Sequence, residues 1–206
     1  MTKGRFIALE GGEGVGKSTQ LRLLAQALRA QGHAVVTTRE PGGTPGAEAI
    51  RALLLDPAGP GWGPRAEALL FAAARADHGE RLIAPALARG EWVLTDRYLD
   101  SSRAYQGGGN GLDDADLLTL HRIGSLGLMP DRTILLELDP ALAAARLVAR
   151  DGGNADRIGG RDSAYHARVA AAFRAFAAAE PARFARVDAD GTPEAVHARV
   201  MAAITA

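Results

Sequence analysis

The chain is 206 residues long, carries 24 Lys and Arg against 24 Asp and Glu, and has no cysteine. That length suits one α/β domain with a sizeable core and leaves little room for a second. Zero net charge removes the electrostatic basis for nonspecific binding to a nucleic-acid polymer, and the lack of cysteine excludes a disulfide framework or a thiolate zinc site.

The first element is the apolar run Phe6-Ile7-Ala8-Leu9, which predicts a buried strand near residues 5–10. The chain enters it without a leader-like segment and nowhere runs to the roughly 18 consecutive apolar residues of a membrane helix, so a soluble, cytoplasmic protein with no membrane partner is expected. Directly after it comes Gly11-Gly12-Glu13-Gly14-Val15-Gly16-Lys17-Ser18, a complete G-x-x-x-x-G-K-S phosphate loop, and Thr19 opens an amphipathic stretch. The glycines let successive N–H groups turn onto the α- and β-phosphates of a nucleotide, Lys17 reaches the β- and γ-phosphates, and the Ser18 hydroxyl suits Mg²⁺. The helix that follows adds its positive N-terminal end. Lys3 and Lys17 are the only lysines in an arginine-biased chain, so the one internal lysine stands where a compact ammonium is needed.

Apolar runs go on alternating with helix-period segments, which predicts parallel strands joined by crossover helices. Further strands are expected near 34–38, 92–96, 132–138 and 184–188. The first helix places Leu21, Leu24, Ala25 and Leu28 on one face and stops at Gly32. Thr44-Pro45 reads as an N-cap with proline at the first helical position. After a Pro/Gly-rich loop at 56–64, helical pattern runs over 67–76, over 80–89, and from an Asp113 cap to residue 123. The last long helices are expected at 141–150 and 163–179, with a glycine- and charge-rich segment between them. No repeat or linker divides the chain, so residues 1–206 read as one domain.

Strand ends carry the polar motifs. The strand at 92–96 ends in Asp96-Arg97-Tyr98, at the carboxyl edge of a parallel sheet where α/β proteins bind ligands. Asp96 can hold Mg²⁺ through water and Arg97 can contact phosphate; from the tripeptide alone, an ion pair at a strand end reads equally well. The strand at 34–38 leads into Arg39-Glu40-Pro41-Gly42-Gly43-Thr44, and two polar edges converging near one loop favour a site. Phe71 and Arg75 share a helix face, as a stacking ring and a donor to a base carbonyl would. Taken alone, that pair reads more simply as a core phenylalanine beside a solvated arginine. Ser101 through Gly109, with Tyr105, Gln106 and a glycine run, reads as a substrate-contacting loop or as a turn.

Together these residues resemble the thymidylate kinase family, enzymes that phosphorylate dTMP. The phosphate loop, the 39–44 motif, Phe71 with Arg75, Asp96-Arg97-Tyr98 through Ala104-Tyr105-Gln106-Gly107, and Leu136-Glu137-Leu138-Asp139-Pro140 occur in family order along nearly the whole chain. The resemblance implies a P-loop NTPase fold of the nucleoside monophosphate kinase type: a three-layer α/β/α arrangement with a five-stranded parallel sheet. It also implies a mobile arginine-bearing lid, here about 146–161, and a homodimer. By the same resemblance Phe71 stacks on thymine and Arg75 bonds thymine O4. A donor there disfavours cytosine, whose amino group would leave two donors facing each other. Ser102 would lie beside the base edge, and Tyr105 would crowd the sugar where a 2′-OH would go, with Gln106 in the same loop. Arg39 and Arg97 would hold the acceptor phosphate. Glu13, where many members carry Asp, would reach the sugar 3′-OH or metal-bound water.

Some members carry an arginine inside the phosphate loop, whereas Gly12, Glu13, Gly14 and Val15 supply none here. Charge for the transferring phosphoryl group is then expected from the lid, as in a bacterial subtype. Arg146, Arg150, Arg157 and Arg161 are the candidates, Arg150 and Arg157 first; a solvated arginine face is the plainer alternative. No general base is evident, which suits a phosphate acceptor that is largely dianionic near neutral pH, its second pKa being about 6. Positioning and charge neutralisation by Lys17, Mg²⁺ and arginines remain. The expected reaction is Mg²⁺-dependent transfer from ATP to dTMP, giving ADP and dTDP. Two other readings stay open: a deoxynucleoside kinase using Glu40 as base on a thymidine hydroxyl, and a module that binds ATP without transferring phosphate. An adenine site is marked only by analogy, at the strand end 187–189.

Overall fold

The computed structural model describes residues 4–59, 61–151 and 157–205, without the side chains of Arg150, Asp151 and Thr205. Five strands, β1 (Phe6–Glu10), β2 (Val35–Arg39), β3 (Trp92–Asp96), β4 (Arg132–Glu137) and β5 (Phe184–Asp188), pair in parallel in the order β2-β3-β1-β4-β5. Around the sheet lie α1 (Lys17–Ala30), α2 (Pro45–Leu55), α3 (Pro64–His78), α4 (Ala84–Ala88), α5 (Leu99–Ser102), α6 (Asp114–Ser125), α7 (Pro140–Asp151), α8 (Ser163–Ala179) and α9 (Pro193–Thr205). The three-layer arrangement matches the expected fold class, and each strand lies within one residue of its expected bounds.

β1 is covered on both faces. Phe6 and Ala8 pack with Val93, Tyr98 and Leu99, while Ile7 and Leu9 face Leu24, Leu28, Val196 and Val200. A central parallel strand covered this way must be apolar at every position, which is why residues 6–9 form an unbroken run. Glu10, fully buried at the strand end, is the exception. The chain leaves β1 for β2 on one side and returns to β4 on the other, so the carboxyl end of β1 is the topological switch point, where such sheets bind ligands.

Three segments differ from expectation. α9 (Pro193–Thr205) is a long helix beyond the two expected to be the last, and it packs Val196 and Val200 into the core. α3 runs through a π-helical turn, Gly79–Ile83, straight into α4, where the pattern suggested two separate helices. Gly79 has φ −61°, an ordinary helical value, so it does not end the helix as a left-handed glycine would. Residues 103–109 are not a loop but a π-helical continuation of α5, Arg103–Gly109. The glycines there serve close approach: a Cβ on Gly108 would run into Ala172, and one on Gly109 into the ring of Tyr165, both on α8. The caps stand as expected, with Thr44 Oγ1 accepting from the Ala47 N–H (3.4 Å) and the Asp113 carboxylate from the Ala115 N–H (2.9 Å).

Candidate active site

β1 delivers the chain into the phosphate loop at the switch point. Gly11, Gly14 and Gly16 take φ of 133°, 73° and 94°, values that favour glycine. Gly16 is also the N-cap of α1, and no side chain closes that first turn. The leading N–H groups of α1 therefore have no competing cap, and with the helix dipole they make an anion site. Lys17 Nζ spans the loop, donating to the carbonyls of Gly12 (2.6 Å) and Gly11 (3.2 Å). Burial first, and Arg97 second, hold its pKa below the usual lysine range, against Asp96, Glu13 and Glu10. Ser18 Oγ donates to Asp96 Oδ2 at 2.6 Å, so the two residues that suit Mg²⁺ lie together. Two oxygen donors and no larger acidic cluster among the described residues fit an ion that keeps most of its water and phosphate ligands. The Val15 side chain packs in the core, which leaves its backbone for the loop.

Arg97 is the hinge of the site. In the left-handed region (φ 69°), it donates through Nη1 to Gly11 O (3.0 Å) and Ser101 Oγ (3.0 Å), and through Nη2 to Glu13 Oε1 (2.5 Å) and the Tyr105 hydroxyl (3.1 Å). Burial works against its charge, but Tyr105, Glu13, Asp96 and Glu10 outweigh that and push its pKa up. Behind it, Glu10 accepts from the N–H of Tyr98 (2.8 Å) and Ser101 (3.1 Å) and from the Ser101 hydroxyl (2.6 Å), fastening the turn that carries Arg97. Burial and the neighbouring Asp100 raise the Glu10 carboxyl to about 7, partly opposed by Arg97. Sequence reasoning passed over Glu10; its one signal is a lone carboxylate closing an otherwise apolar strand.

From Arg97 the cleft continues between α3 and the α5 segment. Glu13, Lys17, Ser18, Thr19, Arg39, Phe71, Arg75, Asp96, Arg97, Ser102, Tyr105 and Gln106 all line one cavity of about 490 Å³, within the range of small-molecule sites. Phe71 is both lining and core, 9% exposed and packed with Leu54 and Tyr105, so the two readings of it are compatible. Arg75 donates from Nε to Glu40 (2.7 Å) and from Nη2 to Ser102 Oγ (2.8 Å); it is buried, not solvated. Burial keeps the Tyr105 phenol well above its usual range, with Arg97 opposing. Gln106 donates to Glu67 at 2.9 Å. Arg39, more than half exposed, forks onto both oxygens of Glu48 (3.1 and 3.2 Å) at the mouth. Leu55, Ile158 and Pro41 of the 39–44 motif complete the apolar wall, and sequence reasoning had given none of the three a role in the site.

The lid candidates separate. Arg146 lines the cleft beside the phosphate loop and donates to the carbonyls of Ala189 (3.3 Å) and Gly191 (3.5 Å), at the strand end suggested for adenine. Arg157 lies off the cleft, held by the carbonyls of Asp56 (3.0 Å) and Gly59. Arg161 is tied to Glu67, to Asn110 (3.0 Å) and to the Tyr165 hydroxyl (2.6 Å), a structural anchor. The Arg150 side chain lies outside the described residues, as do residues 152–156 of the expected lid.

The family model described as "Thymidylate kinase" matches residues 9–200. The thymidylate kinase of Rhizorhabdus wittichii is 59% identical over 201 residues, covering 98% of this chain and 97% of its own. That of Gluconobacter oxydans is 54% identical over 206 residues, with 98% and 94% covered. Among solved structures, thymidylate kinase from Ehrlichia chaffeensis superposes with a TM-score of 0.81 at 29% identity, covering all of both chains.

Proposed function

The chain belongs to the thymidylate kinase family, and from that premise we propose how its cleft works as an ATP-dependent nucleoside monophosphate kinase, moving the γ-phosphoryl group of ATP to dTMP. ADP and dTDP are the products, the latter feeding dTTP synthesis. One observation carries the reading: a phosphate loop at one end of a single cleft, Phe71 and Arg75 at the other, and Arg97 between them.

Lys17 exchanges its two neutral carbonyl partners for phosphate oxygens, a stronger, charge-assisted pairing. Ser18 and Asp96 would hold Mg²⁺, which when bound neutralises phosphate charge as it develops. Arg97, released from Glu13, and Arg39, released from Glu48, grip the acceptor phosphate. Glu13 then faces the sugar 3′-OH or metal-bound water. Phe71 stacks on thymine, Arg75 donates to O4, Ser102 and Gln106 border the base and Tyr105 the sugar. Arg150 and Arg157 are the lid arginines proposed to reach the transferring group, with Arg157 having to leave Asp56 and Gly59. Because the acceptor oxygen is already ionised near neutral pH, nothing need deprotonate it. Lid closure excludes water and limits ATP hydrolysis.

A thymidine kinase using Glu40 as base is not favoured, since each Glu40 oxygen is bonded to a partner, Arg75 or His78, inside the protein. We also read residues 1–206 as one catalytic domain working in the cytoplasm as a homodimer; α3 and α6 pack together and expose Leu69, Leu118 and Ile123, apolar surface a second copy would cover. The test is ADP release from Mg·ATP with dTMP, dUMP, dCMP, thymidine or no acceptor. Turnover fastest with dTMP and near background with thymidine is expected. Faster turnover with thymidine, or release independent of acceptor, would overturn the reading.

A further inference from the structure

Behind the base end runs a chain of polar side chains, half-buried at Thr38 and buried beyond it, that the phosphoryl transfer itself does not use. Thr38 Oγ1 at the end of β2 pairs with His78 Nε2 at 2.7 Å, and His78 Nδ1 donates to Glu40 Oε1 at 2.9 Å. Glu40 Oε2 accepts from Arg75 Nε at 2.7 Å, and Arg75 Nη2 donates to Ser102 Oγ at 2.8 Å and to the Tyr98 carbonyl at 3.4 Å. The Glu40 and Arg75 side chains are each 4% exposed, and that of His78 is fully buried. Three elements and the loop after β2 are thus tied through one carboxylate.

Arginine has a long side chain with several soft torsions, but a guanidinium bonded at both Nε and Nη2 has no rotation left. Its Nη1 is the one nitrogen without a partner among the described residues, on a side chain that lines the cleft. We infer that Glu40 is a positioning residue for base selection: by clamping Arg75 it fixes where Nη1 points, so that a base carbonyl is accepted and an amino group refused, while His78 and Thr38 hold Glu40 in place. A charged carboxylate suits this task because it accepts from two donors at once and balances the buried guanidinium. The inference rests on the assignment of Arg75 to the base.

Steady-state kinetics of Glu40→Gln, Arg75→Ala and the double variant, with dTMP, dCMP and ATP varied in turn, test it. Glu40→Gln should raise the dTMP KM by roughly tenfold or more while kcat and the ATP KM stay within about threefold, the pattern of lost binding without lost chemistry. The preference for dTMP over dCMP should narrow, and the double variant should be no worse than Arg75→Ala, because Glu40 acts through Arg75. If Arg75→Ala raises the dTMP KM and Glu40→Gln does not, the positioning role is wrong and the base assignment stands. If Arg75→Ala leaves the dTMP KM unmoved, the base assignment fails and takes the inference with it. A fall in kcat at constant KM in Glu40→Gln would instead place the carboxylate in the chemistry, against the inference. Should Glu40→Gln not fold, Glu40→Asp keeps the charge at shorter reach and should shift the dTMP KM and selectivity the same way. Unchanged values in that folded variant would contradict the inference.

Discussion

Glu10 shows how a residue can serve a site at some expense to stability. Its carboxyl is held at about 7 in the fold against an ordinary 4.5, by burial and by Asp100. A carboxyl whose folded pKa is raised stabilises most below the unfolded value, and that contribution is lost as pH rises through the folded one. The shift corresponds to roughly 3 kcal/mol, lost between about pH 4.5 and 7. Glu10→Gln keeps the shape without the titration, so its stability relative to the parent should improve from pH 5 to about pH 7 and level off above it in urea unfolding; parallel profiles would show that burial does not govern this group. Lys17→Ala should cost at least about a hundredfold in kcat in a folded protein, and a kcat near the parent value would remove Lys17 from the transfer. For Phe71→Ala, loss of base stacking worth about 1–3 kcal/mol predicts a rise of roughly ten- to hundredfold in dTMP KM with the ATP KM unmoved; equal shifts in both would mark a purely core residue. Lys17, Ser18, Asp96 and Arg97 were legible because motif and strand end carry them. Glu10 and the bond from Glu40 to Arg75 were not, because a buried carboxylate is recognised by its partners, and those are distant in sequence.

At the scale of elements, Glu67 of α3 is the fastener between the base end and the start of α8. It accepts from Gln106 (2.9 Å) and Asn110 (3.2 Å) on one oxygen and from Arg161 on the other. Ile158 packs nearby with Leu54, Phe71 and Tyr105. Breaking a buried pair by removing one partner typically costs about 3–5 kcal/mol, and Arg161 keeps some solvent, so Glu67→Ala should fall near 3 kcal/mol, read as a lower urea midpoint. A loss below about 1 kcal/mol would mean that water replaces the carboxylate readily. Strands and the long helices up to α8 were predictable here because their apolar periods repeat over many residues, whereas α9 was not anticipated. The helical state of residues 103–109 was not, since its glycines answer to Ala172 and Tyr165, far along the chain. The unbroken passage from α3 to α4 was not legible either: the two helical patterns are joined through a π-helical turn in which Gly79 adopts plain helical angles.

For the whole molecule, the parallel order β2-β3-β1-β4-β5 brings the ends of β1, β2 and β3 to one edge, and the site follows from that convergence. Its two ends differ in character: backbone amides, lysine and Asp96 at the phosphate loop, and aromatic and apolar side chains with a doubly bonded arginine at the end proposed for the acceptor. Arg97 belongs to both, which is why it is bonded to the phosphate loop and to the α5 segment at once. The measurement that tests this most directly is phosphorus NMR of the purified protein turning over Mg·ATP and dTMP. ADP and dTDP should appear one for one, with no more than a slow background of free phosphate. ADP accompanied by inorganic phosphate, with dTMP unchanged, would contradict a cleft built to join the two substrates.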